Sequence, residues 1–152
     1  MKKIYFEDIE EGEVIWGDQV IADPEEMLAY NKRNDPWPIH IDETAAKASP
    51  FGGLIASGGY TITLMYRSSI GVYNTPELQW QFLGGFDWKL KFPLPVRPHD
   101  QLQVRYTIGK KTPSRKSGRG IAEVYVEMFN QDREVVLSIE IVFLMATRPQ
   151  TS

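Results

Sequence analysis

The stretch Ala56-Ser57-Gly58-Gly59-Tyr60-Thr61-Ile62-Thr63-Leu64-Met65-Tyr66-Arg67-Ser68-Ser69 decides the fold. It has the length of a helix and is apolar on nearly every side, with Arg67 as its one charge. A helix without a polar face is normally buried. Ser57 is placed to cap its start, and Gly58 and Gly59 leave its first backbone N–H groups open to close approach.

What surrounds such a helix follows from the rest of the chain. From Leu83 onward the hydrophobic period becomes two. Trp88, Leu90 and Phe92 alternate with Asp87, Lys89 and Lys91, and Leu102, Val104, Tyr106 and Ile108 form a second set. Ala122, Val124, Val126 and Met128 form a third, and Leu137, Ile139, Ile141, Phe143 and Met145 a fourth. Asn130–Arg133 reads as a hairpin turn, and Pro93, Pro95 and Pro98 end the first of these strands. Residues 70–84 read as a connecting loop and 109–120 as a basic connector.

Upstream, residues 4–22 read as an arm and a first strand. Asp23 is a good N-cap, Pro24 suits the first helical position, and Glu26 lies three residues after the cap. This helix must stop near Asn34, because Pro36 disfavours helical backbone at Asp35. A shorter helix over 43–48, capped by Asp42, comes next. The expected class is α+β: an antiparallel, twisted sheet wrapped around a central buried helix, the hotdog arrangement. An open sheet leaves an edge to manage, so a homodimer or higher homo-oligomer is expected.

Composition narrows the function. At 152 residues a single domain over 1–152 is expected, with enough length to bury its own core. A net charge of −3 gives no general attraction to nucleic acid or to anionic membranes. Cysteine is absent, which removes disulfides, zinc thiolates and thiol nucleophiles and fits a reducing cytoplasm. The N-terminus shows no signal peptide, and no apolar run is long enough to cross a bilayer as a helix.

The chemistry-bearing residues cluster just before the buried helix, in Asp35-Pro36-Trp37-Pro38-Ile39-His40-Ile41-Asp42. A carboxylate and one of the two histidines share a proline-stiffened loop there. Local spacing leaves two readings open: a catalytic pair holding one water, or a loop cap beside a packing histidine. Other constellations fail. Gly53 and Gly58 match Gly-x4-Gly, but Gly59-Tyr60 follows where a phosphate loop needs Lys-Ser/Thr. Ser57 lacks the preceding glycine of a nucleophile elbow, because Ile55 stands there. His40, Asp42 and the distant His99 make a poor metal-ligand set, and His99 reads as a turn residue.

The run Asp35-x4-His40-x-Asp42, with Ala45-Ala46 and then Phe51-Gly52-Gly53-Leu54-Ile55-Ala56-Ser57-Gly58, resembles the MaoC-like dehydratase and (R)-specific enoyl-CoA hydratase family. Tyr5–Gly12 is similar to that family's lead-in, and Pro95-Val96-Arg97-Pro98-His99-Asp100-Gln101-Leu102 to its Pro-Val-x-Pro-Gly-Asp-x-Leu turn. The resemblance thus covers nearly the whole chain. It implies a hydro-lyase that reversibly adds water to a 2-enoyl-CoA, with acyl-CoA as substrate and no metal or redox cofactor. It assigns Asp35 and His40 to the water and the Gly58 N–H to the thioester oxygen. Three positions depart from the pattern: Trp37 replaces a frequent Asn, Ser57 a frequent His, and Tyr66 a serine of short-chain hydratases. All three are expected at the pocket. Arg115 and Lys116, within the basic connector, are candidates for coenzyme A phosphates. The same fold also serves acyl-CoA thioesterases and non-catalytic acyl-CoA-binding subunits, which stand as alternatives.

Overall fold

The computed structural model describes residues 1–151. Among these residues eight strands and four α-helices follow in order, with one 3-10 turn at Phe6–Asp8 after β1: β1 Lys2–Ile4, β2 Val14–Trp16, β3 Val20–Ile21, α1 Pro24–Asn34, α2 Pro38–Ile41, α3 Glu43–Ala48, α4 Gly58–Tyr73, β4 Leu78–Trp80, β5 Phe82–Lys91, β6 Gln101–Pro113, β7 Arg119–Phe129 and β8 Val135–Ala146. The main sheet has the order β2-β6-β7-β8-β5, is antiparallel throughout, and has β3 also paired to β6. A separate parallel pair joins β1 to β4. This is the expected hotdog arrangement, with α4 lying along one face of the sheet. None of the described helices is long and apolar enough to cross a membrane.

The period-two pattern chose the core correctly in three of its four sets, whereas Trp88 and Phe92 of the first remain 37% and 46% exposed. Leu102, Val104, Tyr106, Ile108, Ala122, Val124, Val126, Met128, Leu137, Ile139, Phe143 and Met145 all lie in one buried cluster with Tyr60, Leu64 and Met65 of α4. Two serines finish the joint. Ser68 Oγ donates to the Asp18 carbonyl (2.5 Å) and accepts from Val104 N–H (3.0 Å), while Ser69 Oγ accepts from the Tyr106 hydroxyl (2.8 Å). A polar group buried in this way must be bonded, and these bonds fix how far α4 slides along β6.

Several expectations need correcting. The buried helix does not stop at Ser69 but runs to Tyr73, and Asn74 N–H caps it onto the Ile70 carbonyl (3.0 Å). Gly71 sits inside it for packing, since a Cβ there would collide with the Asp18 carboxylate. Nor is α4 buried on every side, for Tyr66 and Ile70 are 48% and 46% exposed in the single chain. Residues 70–84 therefore carry a helix end, β4 and the start of β5 rather than one loop. The basic connector shrinks to residues 114–118, because β6 continues to Pro113 past a register shift between Ile108 and Lys111. That bulge breaks the alternation and hides the strand from a period count. Lys111 is then structural, donating to the Ile9 carbonyl (2.6 Å) above the Phe6 ring. His99 is a turn residue with φ 73°, where the related pattern carries glycine.

Gly17, at the bend between β2 and β3, has no room for a side chain. A Cβ would meet the Ser68 carbonyl and the Val104 side chain, and the former is backbone that cannot turn away. Gly17→Ala is therefore expected to destabilise the chain by about 2–3 kcal/mol in urea unfolding. An unchanged midpoint and slope would show that α4 does not press on this bend.

Candidate active site

The catalytic candidates hang from the end of α1. Asp23 caps that helix by accepting from Glu26 N–H (2.9 Å), as its sequence announces. The Glu26 carboxylate serves elsewhere. It accepts from the Arg67 guanidinium (2.8 Å) and the Tyr60 hydroxyl (2.7 Å), tying α1 to α4. Those two donors, Arg67 first, hold the Glu26 carboxyl below the usual range, while burial pushes the Tyr60 hydroxyl up. Asp35 is the residue that ends α1, its N–H donating to the Asn31 carbonyl (2.9 Å).

Pro36 and Pro38 then do more than stiffen a loop. Pro38 starts the single helical turn α2, so His40 lies within a short helix rather than on a loop. The turn swings His40 back toward Asp35, and Nε2 stands 3.6 Å from Asp35 Oδ2. The His40 side chain is 10% exposed and that of Asp35 41%. The imidazole thus forms the inner wall of a site whose outer wall is the carboxylate.

His40 Nδ1 lies 2.9 Å from the Ile55 carbonyl. A carbonyl can only accept, so Nδ1 carries the proton. In the neutral ring Nε2 is then an acceptor, facing a second acceptor across a gap too long for a direct hydrogen bond. Two acceptors so placed are complementary to one water donating both its hydrogens.

Asn31 is the residue that sequence reasoning missed. It is fully buried, donates through Nδ2 to the carbonyls of His40 (3.0 Å) and Ile55 (3.4 Å), and accepts at Oδ1 from Ser57 N–H (3.2 Å). One side chain thereby joins α1, α2 and the entry to α4. An Asn among Lys, Arg and Asn at a helix C-terminus carries no signal of burial, so nothing in the local pattern marks it.

The remaining candidates fall as follows. Ser57 Oγ accepts from Tyr60 N–H (3.3 Å), so this side chain is committed to the cap of α4. Gly58 and Gly59 are the first two helical residues, whose N–H groups have no partner within the helix. Neither position has room for a side chain: a Cβ on Gly58 would lie 3.1 Å from the Phe92 ring and one on Gly59 2.5 Å from the Tyr30 hydroxyl. Trp37 is 66% exposed. Tyr66 lines a cavity between α4 and β5. Arg115 and Lys116 are exposed at the β6–β7 tip. That tip lies at the end of the sheet where Ala146 pairs with Arg119, whereas Phe92 and Gly58 lie near Ser138, about 25 Å away along β8. Within one chain these two cations do not converge on the Asp35–His40 pair. Arg97 is better placed, its guanidinium 3.9 Å from where a Gly53 Cβ would be.

The family described as "MaoC like domain" matches residues 11–128. The chain belongs to the MaoC-like domain family. The crystal structure of the MaoC-like dehydratase from Rhodospirillum rubrum superposes with a TM-score of 0.87, at 30% identity, covering 97% of this chain and 99% of that one. A 3-hydroxybutyryl-CoA dehydratase of Methylorubrum extorquens is 29% identical over 119 residues, 78% of this chain and 73% of that protein. YdeM of Bacillus subtilis, an uncharacterized protein, is 26% identical over 137 residues, 88% of this chain and 93% of its own. An R-hydratase from Pseudomonas aeruginosa shares the fold, with a TM-score of 0.71 at 22% identity.

Truncating Asn31 to Ala strands two carbonyls and one N–H in the interior. The expected cost is about 2–3 kcal/mol in chemical unfolding. A loss below about 0.5 kcal/mol would mean that these groups find other partners and that Asn31 does not hold the site together.

Proposed function

We propose that this MaoC-like chain is a hydro-lyase that reversibly adds water across the C2–C3 double bond of a 2-enoyl-CoA, with the (R) stereochemistry that its family resemblance implies. The observation that carries this reading is the 3.6 Å separation of His40 Nε2 and Asp35 Oδ2 with His40 Nδ1 committed to Ile55. Asp35 and His40 orient one water by each accepting a hydrogen bond from it. As its oxygen bonds to C3, one of the pair takes a proton and C2 receives one, so hydration is balanced without an external reactant. The electron pair of the double bond moves toward the thioester oxygen, where charge must be met by donors. The Gly58 N–H at the positive end of α4 fills that role.

Coenzyme A serves as the carrier portion of the substrate. Arg97 is assigned to its phosphates within the chain, because it borders the Gly53 loop that leads into α4, and Arg115 and Lys116 stand as candidates only from the second copy of the homodimer. The chain acts as a single unit over its length and as a homodimer. Among the described residues β5 pairs only with β8, which leaves its other edge free. Phe82, Leu83 and Phe86 on that strand are more than half exposed, and a second copy covering them removes both liabilities.

Purified protein is expected to deplete the conjugated absorbance of short 2-enoyl-CoAs. Asp35→Ala and His40→Ala are each expected to slow this about a thousandfold while remaining folded. Full turnover in either variant, or release of free thiol in place of hydration, would contradict the assignment.

A further inference from the structure

Between α4 and β5 lies a cavity of ≈ 390 Å³, and its wall is mostly aromatic. Tyr66 and Trp88 pair at the α4–β5 seam, their ring centroids 5.9 Å apart. Tyr73, Trp80, Phe82, Tyr106 and Phe143 make up the remainder of the aromatic wall, with neighbouring centroids 5.9–6.4 Å apart. These rings meet tilted or edge-on except for the stacked Trp80–Phe143 pair, so the cavity presents both faces and edges to its contents.

The lining of this space begins at Met65 and Tyr66, about two helical turns beyond the start of α4, and does not include Asp35, His40 or Gly58. Side chains of β5 and the residue after it meet α4 at two points, Trp88 against Tyr66 and Phe92 against Gly58, and the first of these contacts borders the cavity. Eight residues of helix set Tyr66 about 12 Å from Gly58, a span shortened because helical side chains lean toward the N-terminus. An acyl group held by its thioester at Gly58 therefore crosses several carbons before its far end meets the aromatic wall.

The wall's chemistry discriminates among far ends. A flat ring gains face and edge contacts with surrounding rings beyond the area it buries. It is also rigid, whereas an alkyl tail must give up rotational freedom on entry. We propose that this cavity takes a terminal aromatic ring, and that the preferred substrates are ring-terminated acyl-CoA thioesters rather than linear alkyl ones. The inference rests on the hydratase reading only for the direction in which the acyl group enters.

Equilibrium binding of two saturated thioesters with the same number of carbons, 6-phenylhexanoyl-CoA and dodecanoyl-CoA, tests it on the full chain. Neither contains the C2–C3 double bond, so neither turns over. Trp80 and Trp88, two of the four tryptophans, line the cavity and report occupancy by their fluorescence. An ordinary greasy pocket prefers the dodecanoyl tail, which carries more apolar area than its phenyl counterpart. The expected result is the reverse, with the phenyl compound bound about tenfold more tightly. Trp88→Leu, at a partly exposed position, is expected to erase the preference by weakening the phenyl compound about tenfold more than dodecanoyl-CoA. Equal or tighter binding of dodecanoyl-CoA, no binding of either, or a preference that survives Trp88→Leu would overturn the proposal. Turnover of short 2-enoyl-CoAs without a ring preference removes this inference alone. A ring preference without any turnover removes the hydratase reading and leaves the cavity assignment standing.

Discussion

The Ile55 carbonyl oxygen is the point on which the site turns. It accepts from His40 Nδ1 and, more weakly, from Asn31 Nδ2, and it lies two residues before the cap of α4. A buried carbonyl with two donors is well satisfied, and leaving either out costs the desolvation of what remains. Because this oxygen can only accept, it dictates which imidazole nitrogen is free to receive a proton. The same bond sets the distance between the imidazole and the first N–H groups of α4. Tautomer and geometry are thus fixed by one backbone atom.

The scaffold supports that atom from three sides. Ala56 N–H donates to the Val96 carbonyl (2.8 Å) and Ile55 N–H to the Ile39 carbonyl (3.2 Å), so the segment before α4 is pinned between the post-β5 loop and α2. Glu26 clamps α1 to α4 through Tyr60 and Arg67. Ser68 and Ser69 hold α4 to the β2–β3 bend and β6. Since α1 bears Asp35 and α4 bears Gly58, these contacts keep the carboxylate and the helix N-terminus in a constant relation. Rigid support of this kind is what proton transfer at hydrogen-bond distances requires.

Much of the fold was legible in the sequence because its signals are local and strong. Alternation over 101–108, 121–128 and 137–145 marked the buried strand faces, and Asp23-Pro24, Asp42 and Ser57 marked three helix starts. Legibility failed where a long-range contact overrode a local cue. Gly71 looks like the end of a helix but is a docking point for Asp18, and the Gly109 bulge hid the end of β6. β5 alternates like a core strand yet is an edge whose large side chains remain exposed in the single chain. At the site, Asp35 and His40 stood out by residue type and were brought together by the α2 turn that Pro38 begins. Asn31 was invisible, since its three partners lie 9 to 26 residues away. Arg115 and Lys116 stood out as a charge run, and their place at the β6–β7 tip depends on the lengths of those strands, which a charge run does not report.

The central claim is that Asp35 and His40 deliver water to C3 of an enoyl thioester. Its most direct test is mass spectrometry of the product formed from a 2-enoyl-CoA in 18O-labelled water. The account predicts an intact CoA thioester bearing a single heavy oxygen in a new hydroxyl at C3. Label in a free carboxylate with released coenzyme A, or an unaltered enoyl thioester after prolonged incubation, would contradict it.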